Sequence, residues 1–487
     1  MNFDTFTIYG LLAALLQLVI IVGTILRVIL TRHPPGSAFA WILLTTILPY
    51  IGFALYLMFG ERPIGRLRAR RLRETGKRWM TVAHQKLTPH GPLPYKLARH
   101  RTFIHLVTRL AGMPLATGSC VELHKTSEQT LRAIENDIKA AAKSVDMVFY
   151  IFSPQGRVLQ VIDALIDAAA RGVRVRILVD DFGSRAFLRS DARRRMETAG
   201  IEIASALPMR FLRFFGLQRA DLRLHRKLVI IDRKIGYTGS FNMIDPAGYK
   251  DSGDVGEWVD AMVRLTGPAV LSLIGVWAFD WALQPDGDLS DLDNGEEVPF
   301  MPNCGQADTI CIPSGPYQTE DVSLLLVLES IASAQSTLTV TTPYFIPNES
   351  VVAALKNAVL RGVDVRLIVP RRCDGALVNW AMRRYFDDLL AGGVKIYLYE
   401  AGMLHTKSIS IDGEVGIFGT LNIDNRSMHL NFELMMAIFD RQFVADLDSL
   451  TTDYMRKSSL LDPIRWRKRP LSNRLKEGAS YLVSPLL

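Results

Sequence analysis

One short element occurs twice in this chain, and its recurrence constrains the fold more than any other feature. Leu224 to Asn242 reads LHRKLVIIDRKIGYTGSFN, and Met403 to Asn422 reads MLHTKSISIDGEVGIFGTLN. Each copy carries His-x-Lys, an Asp five residues past the Lys, and Gly-Ser/Thr-x-Asn beginning seven residues past that Asp. The first set is His225, Lys227, Asp232, Gly239, Ser240 and Asn242; the second is His405, Lys407, Asp412, Gly419, Thr420 and Asn422. The similarity extends upstream. AAKSVDMVFYIFSPQGRVLQVIDALIDAAARGVRVRILVDDFGS precedes the first copy, and IASAQSTLTVTTPYFIPNESVVAALKNAVLRGVDVRLIVPRRCD precedes the second. Each reads as a β-rich run, an amphipathic helix (Val158 to Ala170; Ser350 to Leu360), and Arg-Gly-Val-x-Val-Arg opening another apolar strand. A second helix ends near Gly200 and Gly393, and a short strand follows, IEIA or VKIYLY. Strands alternating with helices of this length predict an α/β fold with a largely buried sheet.

The copies differ in one place. Gly200 to His225 spans 25 residues, whereas Gly393 to His405 spans 12. The additional PMRFLRFFGLQRADLR interleaves Phe211, Leu212, Phe214, Phe215 and Leu217 with Arg210, Arg213 and Arg219. Such a segment suits either the lipid headgroup region or a helix packed on its own domain. Asp286 to Glu297 (DGDLSDLDNGEE) is acidic, rich in turn residues and placed between the repeats, and reads as a solvated linker.

The N-terminus sets a second constraint. Phe6 to Leu26 and Ser37 to Gly60 contain no charged residue, and each is long enough to cross a bilayer as a helix. Pro34-Pro35-Gly36 lies between them, as expected for a hairpin of two spans. The first run lacks the basic start and small-residue cleavage site of a signal peptide. The basic residues from Arg62 to Arg78 outnumber Arg27 and Arg32 of the loop, which predicts a cytoplasmic position for the chain beyond Gly60. Net charge is +8, much of it in this stretch and in the tail RWRKRPLSNRLKEGASYLVSPLL, a distribution that favours anionic lipid headgroups as partners. Cys120, Cys304, Cys311 and Cys373 show no metal-ligand or disulfide spacing.

Two imidazoles and two ammonium groups form a strong site for a phosphodiester. Alternation along a strand places His225 and Lys227 on one face, and His405 and Lys407 likewise. Ser240, Asn242, Thr420 and Asn422 offer hydrogen-bond donors to the phosphate oxygens. One imidazole attacks phosphorus, and the other protonates the leaving oxygen and later deprotonates the incoming hydroxyl. The sequence offers no obvious metal cluster. His84-Gln85-Lys86 lacks the Asp and Gly-x-x-Asn and reads as basic surface. Asp232 and Asp412 lie an odd number of residues from their Lys and are expected to leave the His face as structural anchors. Asp260 (EWVDAMVRLTG) and Glu433 (NFELMMAIF) are acids in apolar strand contexts. Each needs a partner, for which an imidazole or an arginine would serve.

These residues resemble the phospholipase D superfamily, and the similarity to its bacterial cardiolipin synthases runs over nearly the whole chain. It includes the paired motifs, Thr342-Pro343-Tyr344-Phe345-x-Pro347, Ser314-Gly315-Pro316 and the basic tail ending SPLL. The resemblance implies two similar phospholipase D-type α/β/α sandwich halves related by a pseudo-twofold, preceded by two transmembrane helices. The implied divisions are a hairpin at 1–61, a basic juxtamembrane segment at 62–115, halves at 116–285 and 311–455, an acidic linker at 286–310 and a tail at 456–487. It implies condensation of two phosphatidylglycerol molecules to cardiolipin and glycerol through a phosphatidyl-histidine, with no cofactor or metal and no nucleic acid partner. By analogy His225 is the nucleophile and His405 the general acid/base. The site would lie on the cytoplasmic side of the inner membrane in a multi-pass protein. Thr420 replaces the family's usual Ser, and Leu224 stands where Asn is common. A hydrolase using water and a transphosphatidylase using another alcohol share the same motifs.

Overall fold

The computed structural model describes residues 3–31, 33, 35–61, 74–76, 79, 81, 85–87, 93–207, 219, 221–247, 249, 255–284, 301–318 and 320–484. The acidic stretch 286–297, the apolar insertion 208–218 and most of the basic segment after Gly60 lie outside the described residues. The chain divides into two compact units, 1–69 with 209–222, and 70–208 with 223–487.

In the first unit, α1 (Phe3–Leu30) follows from the uncharged run, and Ile8–Leu30 is long and apolar enough to cross a membrane. The second run departs from the expected continuous span. It forms α2 (Pro35–Ile47) and α3 (Pro49–Phe59), of 13 and 11 residues. Pro49 lacks an N–H and disfavours helical geometry at the residue before it. Leu48 accordingly sits at φ −128°, ψ 73°. At about 1.5 Å per residue neither piece reaches the roughly 30 Å of a hydrocarbon core. Gly52 permits a close return of α3 on α2, since a Cβ there would fall 2.7 Å from Thr45 Cα. Arg27 and Glu61 join the two ends of the hairpin through hydrogen bonds of 2.5 and 2.9 Å.

In the second unit fifteen of the described strands form one sheet, and β7 (Trp258–Val259) with β14 (Met403–Leu404) and β11 (Phe345–Ile346) with β17 (Ile423–Asp424) form two short pairs. From the centre to one edge run β1 (Ala116–His124), β8 (Met262–Thr266), β6 (Ile235–Gly239), β5 (Leu228–Ile231), β2 (Ser144–Phe149), β3 (Arg174–Asp180) and β4 (Glu202–Ala206). To the other edge run β9 (Ala307–Ser314), β18 (Glu433–Phe439), β16 (Val415–Gly419), β15 (Ser408–Ile411), β10 (Thr337–Thr341), β12 (Asp364–Pro370), β13 (Lys395–Tyr399) and β19 (Ser458–Leu460). Apart from β19, the two runs pair their strands in the same order. Antiparallel β1 and β9 join them, with Ala116 opposite Thr309.

Alternation along β3 shows why both sheet faces are covered. Val175, Ile177 and Val179 face a core built with helices Ser127–Ala140 and Val158–Ala170. Arg176 points the other way, paired with Asp146 at 2.7 Å and lying 4.1 Å from the Trp277 ring. Trp277 belongs to helix Ala269–Trp281, which is buried along nearly its whole length.

The basic tail is folded, with helices Pro463–Arg467 and Leu471–Leu482. Trp466 is buried and donates to Asp387 at 2.9 Å. Arg469 pairs with Asp387 at 2.8 Å and Glu477 at 2.6 Å.

Candidate active site

The His-x-Lys segments precede the ladder strands instead of lying within them, contrary to the simple alternation argument. β5 begins at Leu228 and β15 at Ser408, each one residue past the motif Lys. The lead-ins are held by pairing between the two copies. Leu224 bridges Phe432 in parallel, and the His225 N–H donates to Phe432 O at 3.0 Å. In the second copy β14 (Met403–Leu404) pairs in parallel with β7 (Trp258–Val259), and the His405 N–H donates to Val259 O at 2.8 Å. In each case the next residue along the partner segment is the buried acid.

The imidazoles are therefore oriented crosswise. His225 Nδ1 lies 2.9 Å from both carboxylate oxygens of Glu433. His405 Nδ1 lies 2.8 Å from Asp260 Oδ1. Each ring is held by an acid from the other repeat, with Nε2 left for chemistry. All four side chains are buried. Tyr150 contacts the His225 ring edge-on at 5.1 Å, and Trp258 packs on His405 at 4.4 Å.

The motif hydroxyls do not aim at substrate as the sequence suggested. Thr420 Oγ1 donates to Glu433 Oε2 at 2.5 Å and accepts the Leu434 N–H at 2.8 Å. Ser240 Oγ donates to Ala261 O at 3.1 Å and accepts the Ala261 N–H at 3.2 Å. Both support the backbone beside the acid. The glycines before them permit this approach: a Cβ on Gly239 would sit 2.8 Å from Ala261 O, and one on Gly419 would sit 2.2 Å from Leu434 O.

Lys227 and Lys407 lie buried beside the imidazoles, each Nζ donating to the carbonyl of its own histidine at 2.7 and 2.6 Å. Burial pushes Lys227 down to about 8, against the pull of Glu433 and Asp260, and sets Lys407 well below the usual lysine range. Burial also lowers both histidines to about 4, opposed by their acids and reinforced by the lysines. Burial would raise the two acids, but imidazole and ammonium partners outweigh it, and Asp260 and Glu433 end below their ordinary values. At neutral pH these directions leave the carboxylates charged and the imidazoles neutral.

Asp232 and Asp412 leave the cleft, as their spacing predicted. Asp232 accepts backbone N–H groups of Ala142, Lys143 and Ser144, and Asp412 accepts those of Gln335, Ser336 and Thr337. Both sit at positive φ, 50° and 53°, where Asp is among the tolerated residues. They clamp the turns that open β2 and β10.

His225 and His405 line one cleft of about 670 Å³ together with Asn242 and Asn422. Ile151 N–H fixes Asn242 Oδ1 at 3.1 Å, and Asn242 Nδ2 has no hydrogen-bond partner among the described residues. The cleft also contains Arg223, Arg426, Tyr150, Tyr249 and Trp258, which the sequence reading did not single out. A search for matched copies passes over them, because Met403 and Pro246 occupy the positions corresponding to Arg223 and Arg426. Among the described residues no cluster of three or more His, Cys, Asp or Glu is placed to hold a metal.

A family profile described as "Cardiolipin synthase, PLD-like domain" matches residues 134–254 and 327–453, the two segments that carry the His-x-Lys motifs. The chain belongs to the phospholipase D-like cardiolipin synthase family. A second profile, "Phospholipase_D-nuclease N-terminal", matches 19–61. The chain is 39% identical to Cardiolipin synthase A of Yersinia pseudotuberculosis serotype O:1b over 99% of both chains. Identity is also 39% to Cardiolipin synthase A of Proteus mirabilis, again over 99% of both. The crystal structure of phosphatidylserine synthase from Haemophilus influenzae superposes with a TM-score of 0.58, at 13% identity, over 80% of this chain and 100% of that one. That likeness supports the phospholipase D-type α/β fold.

Proposed function

We infer that this protein is a membrane-bound phosphatidyltransferase that condenses two phosphatidylglycerol molecules into cardiolipin and glycerol. The observation that carries this reading is the crossed pairing, which directs two imidazoles with fixed tautomers into a single cleft. Near full-length identity to cardiolipin synthases supplies the lipid class. A carboxylate on Nδ1 keeps that nitrogen protonated and leaves the Nε2 lone pair free to attack.

In the first step Nε2 of one histidine attacks phosphorus of the donor lipid. The P–O bond to glycerol breaks as the other histidine gives its proton to the departing oxygen. In the second step the primary hydroxyl of another phosphatidylglycerol attacks the phosphatidyl-histidine. Its proton passes to the same imidazole, and the P–N bond breaks. Lys227 and Lys407 place positive charge beneath the phosphoryl group, and Asn242 Nδ2 is a donor to its oxygens. Gly239 and Gly419 let the supporting strands close, while Ser240 and Thr420 hold Asp260 and Glu433. Asp232 and Asp412 clamp the turns that open β2 and β10.

The same reading takes the catalytic unit as two similar sandwich halves about a pseudo-twofold, near 116–285 and 311–455. The matching strand order supports it. It also takes the hairpin at 1–61 as a two-pass anchor whose second passage is broken at Pro49, leaving the catalytic unit on the cytoplasmic side of the inner membrane. The residues after Gly60, 62–115, then form the juxtamembrane segment, 286–310 the linker and 456–487 the tail.

The test uses detergent-solubilised wild type, His225→Ala and His405→Ala with labelled phosphatidylglycerol in the presence of EDTA. Cardiolipin and glycerol in equal amounts from wild type alone is the expected result. Phosphatidic acid as the main product would make the protein a hydrolase, and no lipid turnover by folded wild type would overturn the lipid reading.

A further inference from the structure

The cleft is chemically lopsided in a way that the duplication does not explain. Arg223 stands two residues before His225 and Arg426 four residues after Asn422, and both line the cavity. Neither has a basic counterpart in the other copy. The fold nevertheless brings them to one wall. Phe432 N–H donates to the Arg223 carbonyl at 2.9 Å, and the N–H groups of Leu430 and Asn431 donate to the Arg426 carbonyl at 2.8 and 3.0 Å. The two arginines thus flank one turn. Burial pushes the Tyr150 phenol up to about 12, with Asp180 adding to the push and both Arg223 and Arg426 opposing it. Both guanidinium groups therefore act on the hydroxyl whose ring touches His225. The lining also includes Trp258 on His405, Tyr249 packed on Trp258 at 5.4 Å, Ile346 and Val378.

Acids on the cationic side are already engaged by the backbone. Asp180 accepts from the N–H groups of Phe182, Gly183 and Leu224, and Asp424 from that of Ser427. Both are pushed up to about 6 by burial. Asp374 accepts the Tyr344 hydroxyl at 2.7 Å. Arg223 and Arg426 in turn offset part of the charge of Asp180 and Asp424 respectively.

We propose that Arg223 and Arg426 form a second phosphate site, which holds the phosphodiester of the acceptor lipid while its hydroxyl attacks the phosphatidyl-histidine. This rests on the transferase reading above. Condensation brings two phosphodiesters into one cleft. The first lies between the imidazoles, over the buried lysines. The second belongs to the acceptor and is joined to the attacking hydroxyl by a three-carbon bridge. Guanidinium groups suit it, because they present paired N–H donors and stay charged throughout the cycle. In the transfer step the acceptor oxygen bonds to phosphorus, the P–N bond to histidine breaks, and the hydroxyl proton goes to the second imidazole. The acceptor phosphodiester keeps its charge and its bonds. Water and free glycerol carry no phosphate and gain nothing from the site, so the pair would select a phospholipid acceptor over a neutral alcohol.

The experiment measures two products in one tube. Full-length protein in detergent receives phosphatidylglycerol and labelled glycerol; label entering phosphatidylglycerol reports exchange, and cardiolipin reports condensation. Exchange needs one phosphodiester in the cleft, and condensation needs two. In Arg223→Gln and Arg426→Gln the ratio of cardiolipin to exchange is expected to fall about tenfold or more, as loss of a charged hydrogen bond predicts. Arg223→Lys, which keeps the charge, should recover part of the ratio and guards against a folding artefact, with melting temperatures read alongside. A parallel fall of both products at wild-type melting temperature would assign the arginines to the donor phosphate and overturn the proposal. An unchanged ratio with unchanged rates would overturn it as well. Wild type that exchanges glycerol but forms no cardiolipin would instead overturn the transferase reading itself.

Discussion

His225 and Glu433 are 208 residues apart in the chain, yet Nδ1 of the first lies 2.9 Å from both carboxylate oxygens of the second. His405 and Asp260 repeat the relationship in the other direction. Neither repeat completes its own catalytic residue. Both repeats must fold and dock before either imidazole is oriented, which ties activity to the joining of β1 and β9.

Crossing predicts how variants group. Glu433→Gln should resemble His225→Ala, and Asp260→Asn should resemble His405→Ala. Neutralising an acid that fixes a catalytic imidazole lowers turnover by up to about 10⁴-fold in the serine protease case, and losses of about 10² to 10⁴ are expected here. The distinguishing measurement is acid-quenched mass spectrometry of the lipid adduct. Loss of the nucleophile or its acid prevents the adduct, while loss of the general acid/base or its acid slows its discharge. Glu433→Gln behaving like His405→Ala would sink the crossed assignment.

A methyl group at Gly419 tests the strand contact that carries Glu433. Its Cβ would meet Leu434 O at 2.2 Å, backbone that cannot rotate away. Gly419→Ala must move β16 from β18, with a destabilisation of about 1–3 kcal/mol typical of overpacking. Turnover of the folded fraction should fall too, because Glu433 opens β18. Wild-type melting together with wild-type turnover would contradict the contact.

Much of this was legible in the sequence because it depends on local chemistry. The duplicated His-x-Lys and the apolar strand contexts of Asp260 and Glu433 identified the charged groups that the fold must pair. The odd spacing of Asp232 and Asp412 correctly removed them from the cleft. Other features were hidden because they depend on contacts distant in sequence. That Glu433 serves His225 follows from the Leu224–Phe432 bridge, which no periodicity reveals. The residue types of Ser240 and Thr420 suit phosphate donors, while neighbouring backbone and carboxylate groups claim their oxygens. Pro49 marks the break in the second run, though the run of uncharged residues continues across it.

Removing the Asp412 carboxylate should destabilise the protein with little effect on chemistry. Burial would raise this acid, but three backbone N–H groups and the Ser336 hydroxyl outweigh it and hold it below its ordinary value. A carboxyl lowered by folding adds stability that is present above its unfolded value near 4 and is lost as pH falls through the folded value. Asp412→Ala leaves these donors without their acceptor, and a loss of about 2–4 kcal/mol is expected. Asp412→Asn keeps one acceptor and should lose less. Melting in detergent should show wild type losing its advantage over Asp412→Ala below about pH 4. An advantage that does not shrink as pH falls below about 4 would contradict the linkage.

The two histidines give the clearest pH signature. Burial sets both at about 4, below the usual 6.5. The unfolded chain therefore takes up protons first as pH falls from about 6.5 to 4, and these groups withdraw stability over that window. His405→Gln should melt with less sensitivity to acid there. Catalysis needs one neutral imidazole and one that can deliver a proton. The first condition is met throughout the neutral range; the second is not until substrate arrives. A phosphodiester anion between the rings favours the protonated form of the nearer imidazole. Because kcat/KM reports the free enzyme and kcat the complex, the alkaline limb of kcat should lie about one unit or more above that of kcat/KM. Lys227, set at about 8, adds a further fall in kcat/KM as its charge is lost above that pH. Profiles measured in mixed micelles decide the matter: coincident alkaline limbs in kcat and kcat/KM would mean that substrate does not charge the general acid.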